Sequence, residues 1–140
     1  MPGTFFDYAP LHLLTDAALA SLAARMPHSQ IALERFRPNV LIASASREAF
    51  PENAWTGRTI RFGDEVAVKV TDPCPRCAMT TLQQADLPKD ALILKGIAKA
   101  NTVFSPVLES NQPCLGAYAF VVGAGVVRCG DPVWIDESAT

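Results

Sequence analysis

Arg58-Thr59-Ile60-Arg61-Phe62-Gly63-Asp64-Glu65-Val66-Ala67-Val68-Lys69-Val70 decides the fold. Polar and apolar residues alternate from Arg58 to Phe62 and again from Glu65 to Val70, with Gly63-Asp64 as a tight turn between them. That is the pattern of a β-hairpin with one buried face. Immediately upstream, Trp55-Thr56-Gly57 reads as a turn. Farther back, Val40-Leu41-Ile42-Ala43 reads as a buried strand, with Pro38 holding Arg37 extended at its entrance. A helix is expected over Asp16 to Met26, capped by Thr15 or Asp16, with Leu19, Leu22, Ala23 and Met26 on one face and Pro27 ending it.

Downstream of the hairpin stands Pro73-Cys74-Pro75-Arg76-Cys77, read as a two-cysteine turn, and Ala78 to Leu82 is expected to continue as a short strand. A second helix is expected from Lys89 to Asn101. Thr102 to Pro113, with Pro106, Ser110, Asn111 and Pro113, reads as an irregular surface loop. Three strands follow at Ala117 to Val122, Val126 to Arg128 and Pro132 to Ile135, separated by glycine turns. Many short strands with two helices predict a mainly β, α+β fold, a closed or nearly closed β-barrel with peripheral helices.

With 140 residues, 49% of them hydrophobic, the chain can bury one real core, so a single domain over 1–140 is expected. A formal charge of −2 gives no reason to expect nucleic acid or an anionic membrane as partner. Apolar runs such as Ala117 to Val122 are too short to span a bilayer, and the start lacks the pattern of a secretory signal, so the expected location is cytoplasmic. A reducing compartment argues against a disulfide framework among Cys74, Cys77, Cys114 and Cys129.

The chemistry concentrates at Cys77. A thiolate needs support at neutral pH, and Arg76 beside it lowers the thiol pKa while offering a planar fork to an oxyanion. Cys77 therefore reads either as a thiolate given to a soft metal or a persulfide, or as a small packed residue at a strand end. No helix pattern begins after the pair, which disfavours thioredoxin-like exchange. Cys114 and Cys129 are assigned to packing, and His12 among leucines to the core. Arg37 and Asn39, bracketing Pro38, offer a charged fork and an amide to an anionic ligand, or are ordinary surface residues. Arg35 carries the same ambiguity.

Taken together, Gly3-Thr4-Phe5-Phe6-Asp7, Leu11-His12-Leu13-Leu14-Thr15-Asp16-Ala17, Arg35-Phe36-Arg37-Pro38-Asn39, the cysteine stretch with Thr80-Thr81, Leu115-Gly116-Ala117-Tyr118 and Gly130-Asp131-Pro132-Val133 resemble the MOSC domain. That module stands at the C-terminus of molybdenum cofactor sulfurases and within amidoxime-reducing and hydroxylaminopurine-detoxifying molybdoenzymes. The resemblance implies a β-barrel that binds the molybdenum cofactor (molybdopterin), with Cys77 as catalytic residue and metal ligand. It implies Arg37, Asn39, Arg76 and Thr15 as cofactor-binding positions. The activity it implies is reduction of N-hydroxylated or N-oxygenated compounds, with sulfur carriage on a persulfide or non-catalytic cofactor binding as the alternative. The partners it implies are an electron-transfer protein, or the N-terminal β-barrel domain of longer relatives acting in trans, that domain being expected to be absent here.

Overall fold

The computed structural model describes residues 10–76, 81–83 and 87–136. Seven strands and two helices follow in order: β1 Leu11–Thr15, α1 Asp16–Arg25, β2 Val40–Ile42, β3 Thr59–Phe62, β4 Val66–Pro75, α2 Leu92–Ala100, β5 Thr102–Ser105, β6 Ser110–Gly123 and β7 Val133–Asp136. One curled, barrel-like sheet carries them in the order β2-β1-β6-β4-β3-β7, with β5 added on β6. The hairpin expected from the alternating stretch is present as β3–β4, with Ile60 opposite Val68 and Phe62 opposite Val66.

β1 is the strand that alternation could not reveal. Leu13 packs inside the sheet with Ile42, Trp55, Ile60 and Val68. Its neighbour Leu14 packs on the other face with Leu22, Phe36, Ile93, Ile97 and Leu115. A strand buried on both faces reads as a continuous apolar run, so the period-two signal is lost. β2 lies parallel to β1 at the end of the sheet, and its Leu41 is exposed rather than buried as expected.

α1 starts where expected, capped by the Thr15 hydroxyl, which accepts from Ala18 N at 3.0 Å. Its buried stripe is Ala18 and Leu22, flanked by Leu19 and Met26, while Ala23 faces solvent. α2 begins three residues later than expected and packs Ile93 and Ile97, one turn apart, against the same cluster. Gly96 lets the helices approach closely: a Cβ there would stand 2.2 Å from Met26 Sδ.

Four expectations are corrected. Thr102 to Pro113 is a hairpin, β5 against β6, with Thr102 opposite Pro113 and Ser105 opposite Ser110. The buried Asp72 carboxylate on β4 organises its turn, accepting from Ser105 Oγ at 2.7 Å and Val107 N at 3.3 Å. Cys74 and Pro75 lie in β4 rather than in a turn; register shifts between Val70 and Asp72 and between Pro73 and Pro75 are how two prolines fit a paired strand. Residues 126–128 form no strand and are exposed. Cys129 is exposed, not packed. The short strand expected at Ala78 to Leu82 falls mostly outside the described residues.

Candidate functional site

At one end of the sheet, β1, the C-terminal end of β4 and the middle of β6 converge on the turn Phe36-Arg37. A 3-10 turn over Leu33–Arg35 delivers this chain segment, and Arg35 anchors it. Contrary to its surface reading, Arg35 is buried, donating Nε to Gln30 O at 2.7 Å and Nη2 to Pro88 O at 2.7 Å.

Arg37 then turns back with φ +50, the left-handed region, where the sequence had suggested an extended conformation. The position just past a helical turn favours this conformation more strongly than the following proline opposes it. The cost of a left-handed non-glycine is of order 1–3 kcal/mol, tolerated where surrounding contacts impose it. The contacts are visible here. Arg37 N donates to Leu33 O at 3.3 Å, and Arg76 Nη2 donates to Phe36 O at 2.9 Å. Two residues on, Asn39 is stitched to β1: Asn39 N donates to His12 O at 2.9 Å and Asn39 Oδ1 accepts from His12 N at 2.7 Å. The Arg37 side chain and the outer part of Asn39 face solvent.

Arg76 is the centre of the arrangement. Its backbone N donates to Pro113 O at 2.8 Å, fixing the end of β4 against β6. Nη1 donates to Cys74 Sγ at 3.1 Å, and the guanidinium stands 5.8 Å from the Phe36 ring centroid. Nε is buried and has no hydrogen-bond partner among the described residues. A buried unpaired donor on a cation costs of order 1–3 kcal/mol or more, which sets this atom apart from the other hydrogen-bonding atoms of the arrangement.

His12 braces the arrangement from below. Leu115 O can only accept, so the Nε2 atom 3.1 Å from it carries the ring proton. Gly116, at φ +90, makes room: a Cβ there would lie 2.2 Å from His12 Nε2 and 2.6 Å from Leu13 O. Tyr118 stands edge-on at 6.3 Å between ring centroids. Burial, aided by the Arg76 charge, lowers the His12 pKa from 6.5 to about 4, against an opposing pull from the carbonyls of Leu115, Arg37 and Phe36.

A depressed histidine contributes stability that is full above its unfolded pKa and is lost as pH falls through the folded value. Between pH 7 and pH 4.5 this group alone is expected to remove roughly 2 kcal/mol in urea unfolding. Glu52, raised by burial, works in the opposite sense, its contribution present below 4.5 and lost as pH rises through its folded pKa. His12→Gln, which keeps an amide donor for Leu115 O, should remove the acid-side loss; an unchanged acid slope would contradict the assignment.

Thr15 is not drawn into this cluster by its side chain. It is fully buried, its hydroxyl donating to Glu52 Oε1 at 2.7 Å while its backbone N donates to Glu52 Oε2 at 3.1 Å. Sequence reading missed Glu52, because a lone acid in Pro51-Glu52-Asn53-Ala54 carries no signal of burial. Cys114 is buried beside Cys74 and Asp72, and burial followed by those two neighbours pushes its thiol up to about 12, which makes it unreactive. Cys77 lies outside the described residues.

A curled sheet flanked by two helices, with Arg76 aimed at a turn carrying Arg37 and Asn39, defines a class of protein that comparison identifies directly. The chain belongs to the MOSC domain family, whose profile matches residues 3–134. It is a molybdenum-cofactor-related module. It is 33% identical over 131 residues to mitochondrial amidoxime reducing component 2 of Rattus norvegicus and 34% identical over 131 residues to that of Homo sapiens, in each case over 91% of this chain and 37% of the relative. It is 30% identical over 132 residues to mitochondrial amidoxime-reducing component 1 of Danio rerio, over 91% of this chain and 37% of the relative. The chain thus spans little more than a third of the length of these relatives. Among the described residues no helix is long and apolar enough to cross a membrane.

Proposed function

We propose that this chain binds the molybdenum cofactor, with Cys77 as the protein ligand to the metal, and that it serves the reduction of N-hydroxylated or N-oxygenated compounds with electrons from a separate carrier. The buried, unpartnered Arg76 Nε, one residue before Cys77, is the observation that carries the reading. Its donor set suits an anionic, acceptor-rich group: the free Nε of Arg76, the Arg37 fork and the Asn39 amide. A soft thiolate suits molybdenum, and the cofactor, when bound, supplies the redox chemistry.

In this reading the protein's tasks are separate. Arg76 holds the phosphate or pterin oxygens near the end of β4, Arg37 closes on them from the opposite turn, and His12 keeps that turn in place while remaining neutral at physiological pH. Thr15 acts at one remove, by starting α1 against Glu52. The electron carrier, and the further polypeptide that encloses the cofactor, act from outside residues 1–140. We assign the chain to the cytoplasm, a reducing compartment in which Cys114 and Cys129 remain thiols.

The test is expression in cells that make the cofactor, with molybdenum and pterin measured per purified chain. Wild type should retain both, and Arg76→Gln should retain about 10–100-fold less, the usual loss when a supporting partner of a metal site is removed. Wild type without metal or pterin, or Arg76→Gln with undiminished content, would contradict the proposal.

A further inference from the structure

The sheet leaves a second hollow that shares no residue with the His12–Arg76 cluster. It opens between β2 and β7, the two ends of the strand order, and encloses a cavity of about 540 Å3. It is lined by Ile42, Trp55 and Ile60 of the inner core, and its walls include Arg58, Glu48 and Trp134. Sites for small molecules fall in roughly this range of volume and have this composition, an apolar body with a few polar groups.

The polar groups are unspent. Trp55 is 6% exposed, and its indole N–H makes no hydrogen bond to any described residue and is not sealed from solvent, so it is open to an acceptor in the groove. Arg58 is held at the backbone from both sides, its N donating to Trp55 O at 2.8 Å and its O accepting from Val70 N at 2.9 Å. Its guanidinium has no partner among the described residues, and it forms no ion pair with Glu48 across the same groove. A guanidinium rising from a pinned backbone and an indole N–H, both open beside an apolar floor, suit an acceptor on an apolar body. Arg58 outweighs Glu48 because it rises from the pinned start of β3, whereas Glu48 sits in the irregular segment after β2.

We propose that this groove is a second ligand site, for a small amphipathic carboxylate whose apolar body lies on Trp55 and Ile60 and whose carboxylate meets Arg58. The chain has two tryptophans, and both line the groove, so intrinsic fluorescence reports on it directly.

The probe is 4-phenylbutyrate, compared with 4-phenylbutanol, titrated into metal-free protein. The carboxylate should change tryptophan emission saturably. Arg58→Gln should weaken it about tenfold or more, the value of a lost charged hydrogen bond, and leave the alcohol unchanged. Glu48→Gln should tighten the carboxylate, since a like charge is removed. Both variants are at exposed positions, and circular dichroism checks their fold. Equal binding of acid and alcohol, or an Arg58→Gln protein that binds the acid as wild type does, would overturn the proposal. So would saturation by an alternating apolar peptide with no response to the acid, which would give the groove to strand addition between β2 and β7. Cys77→Ser should bind the probe unchanged, which separates this site from the cofactor reading.

Discussion

Cys77→Ser is expected to lower the molybdenum retained per chain by about 100-fold or more, because loss of an outer partner alone typically costs 10–100-fold and, in the cofactor proposal, this substitution removes the ligand itself. Serine offers a hard oxygen whose proton does not leave at neutral pH. Cysteine offers a soft, polarisable sulfur that suits molybdenum. Metal analysis by mass spectrometry on chains purified from cofactor-making cells measures the loss, with circular dichroism confirming the fold. Retention within a factor of two of wild type would remove Cys77 from the metal.

Gly116→Ala is expected to destabilise the fold by about 3 kcal/mol or more, combining a left-handed backbone with overpacking. At φ +90 an alanine is strained before any contact is counted. Its methyl would then meet His12 Nε2 at 2.2 Å and Leu13 O at 2.6 Å, one a side chain wedged under the Phe36-Arg37 turn and the other main chain of a central strand. Leu13 O cannot retreat without disturbing the β1–β6 pairing of Leu13 with Ala117. Thermal unfolding should shift by roughly 10 °C, since about 1 kcal/mol corresponds to several degrees in a chain of this size. A shift under 2 °C would show that His12 and the strand have slack that the geometry denies. Because His12 braces the turn, surviving Gly116→Ala protein should also hold less cofactor than wild type.

Where the sequence was legible, a single physical signal dominated. The β3–β4 hairpin announced itself by alternation around Gly63-Asp64, and α1 by its Thr15 cap and the proline that follows it. Elements with competing signals were hidden. β1 is buried on both faces and so lacks alternation. The β5–β6 hairpin carries Pro106, Ser110, Asn111 and Pro113, a loop composition, and its turn is organised by Asp72 from a strand thirty-odd residues earlier. The left-handed Arg37 was hidden for the same reason, since the local rule favours an extended residue before proline and tertiary contacts through Phe36 O decide otherwise.

The candidate site was legible as residue types and only partly as geometry. Arg37, Asn39 and Arg76 could be named from their chemistry, but that Arg76 reaches across to Phe36 O is a product of the fold. His12 was placed correctly in the core, yet its part in bracing the turn depends on Leu115 and Gly116, about a hundred residues away in sequence. Glu52 and the groove beside Trp55 left no pattern in the sequence at all.

The most direct test of the cofactor reading is X-ray absorption at the molybdenum edge on chain carrying selenocysteine in place of Cys77. A molybdenum–selenium shell is the predicted result, since the atom at position 77 would be bonded to the metal. Molybdenum surrounded only by sulfur and oxygen, with selenium present in the chain, would contradict it.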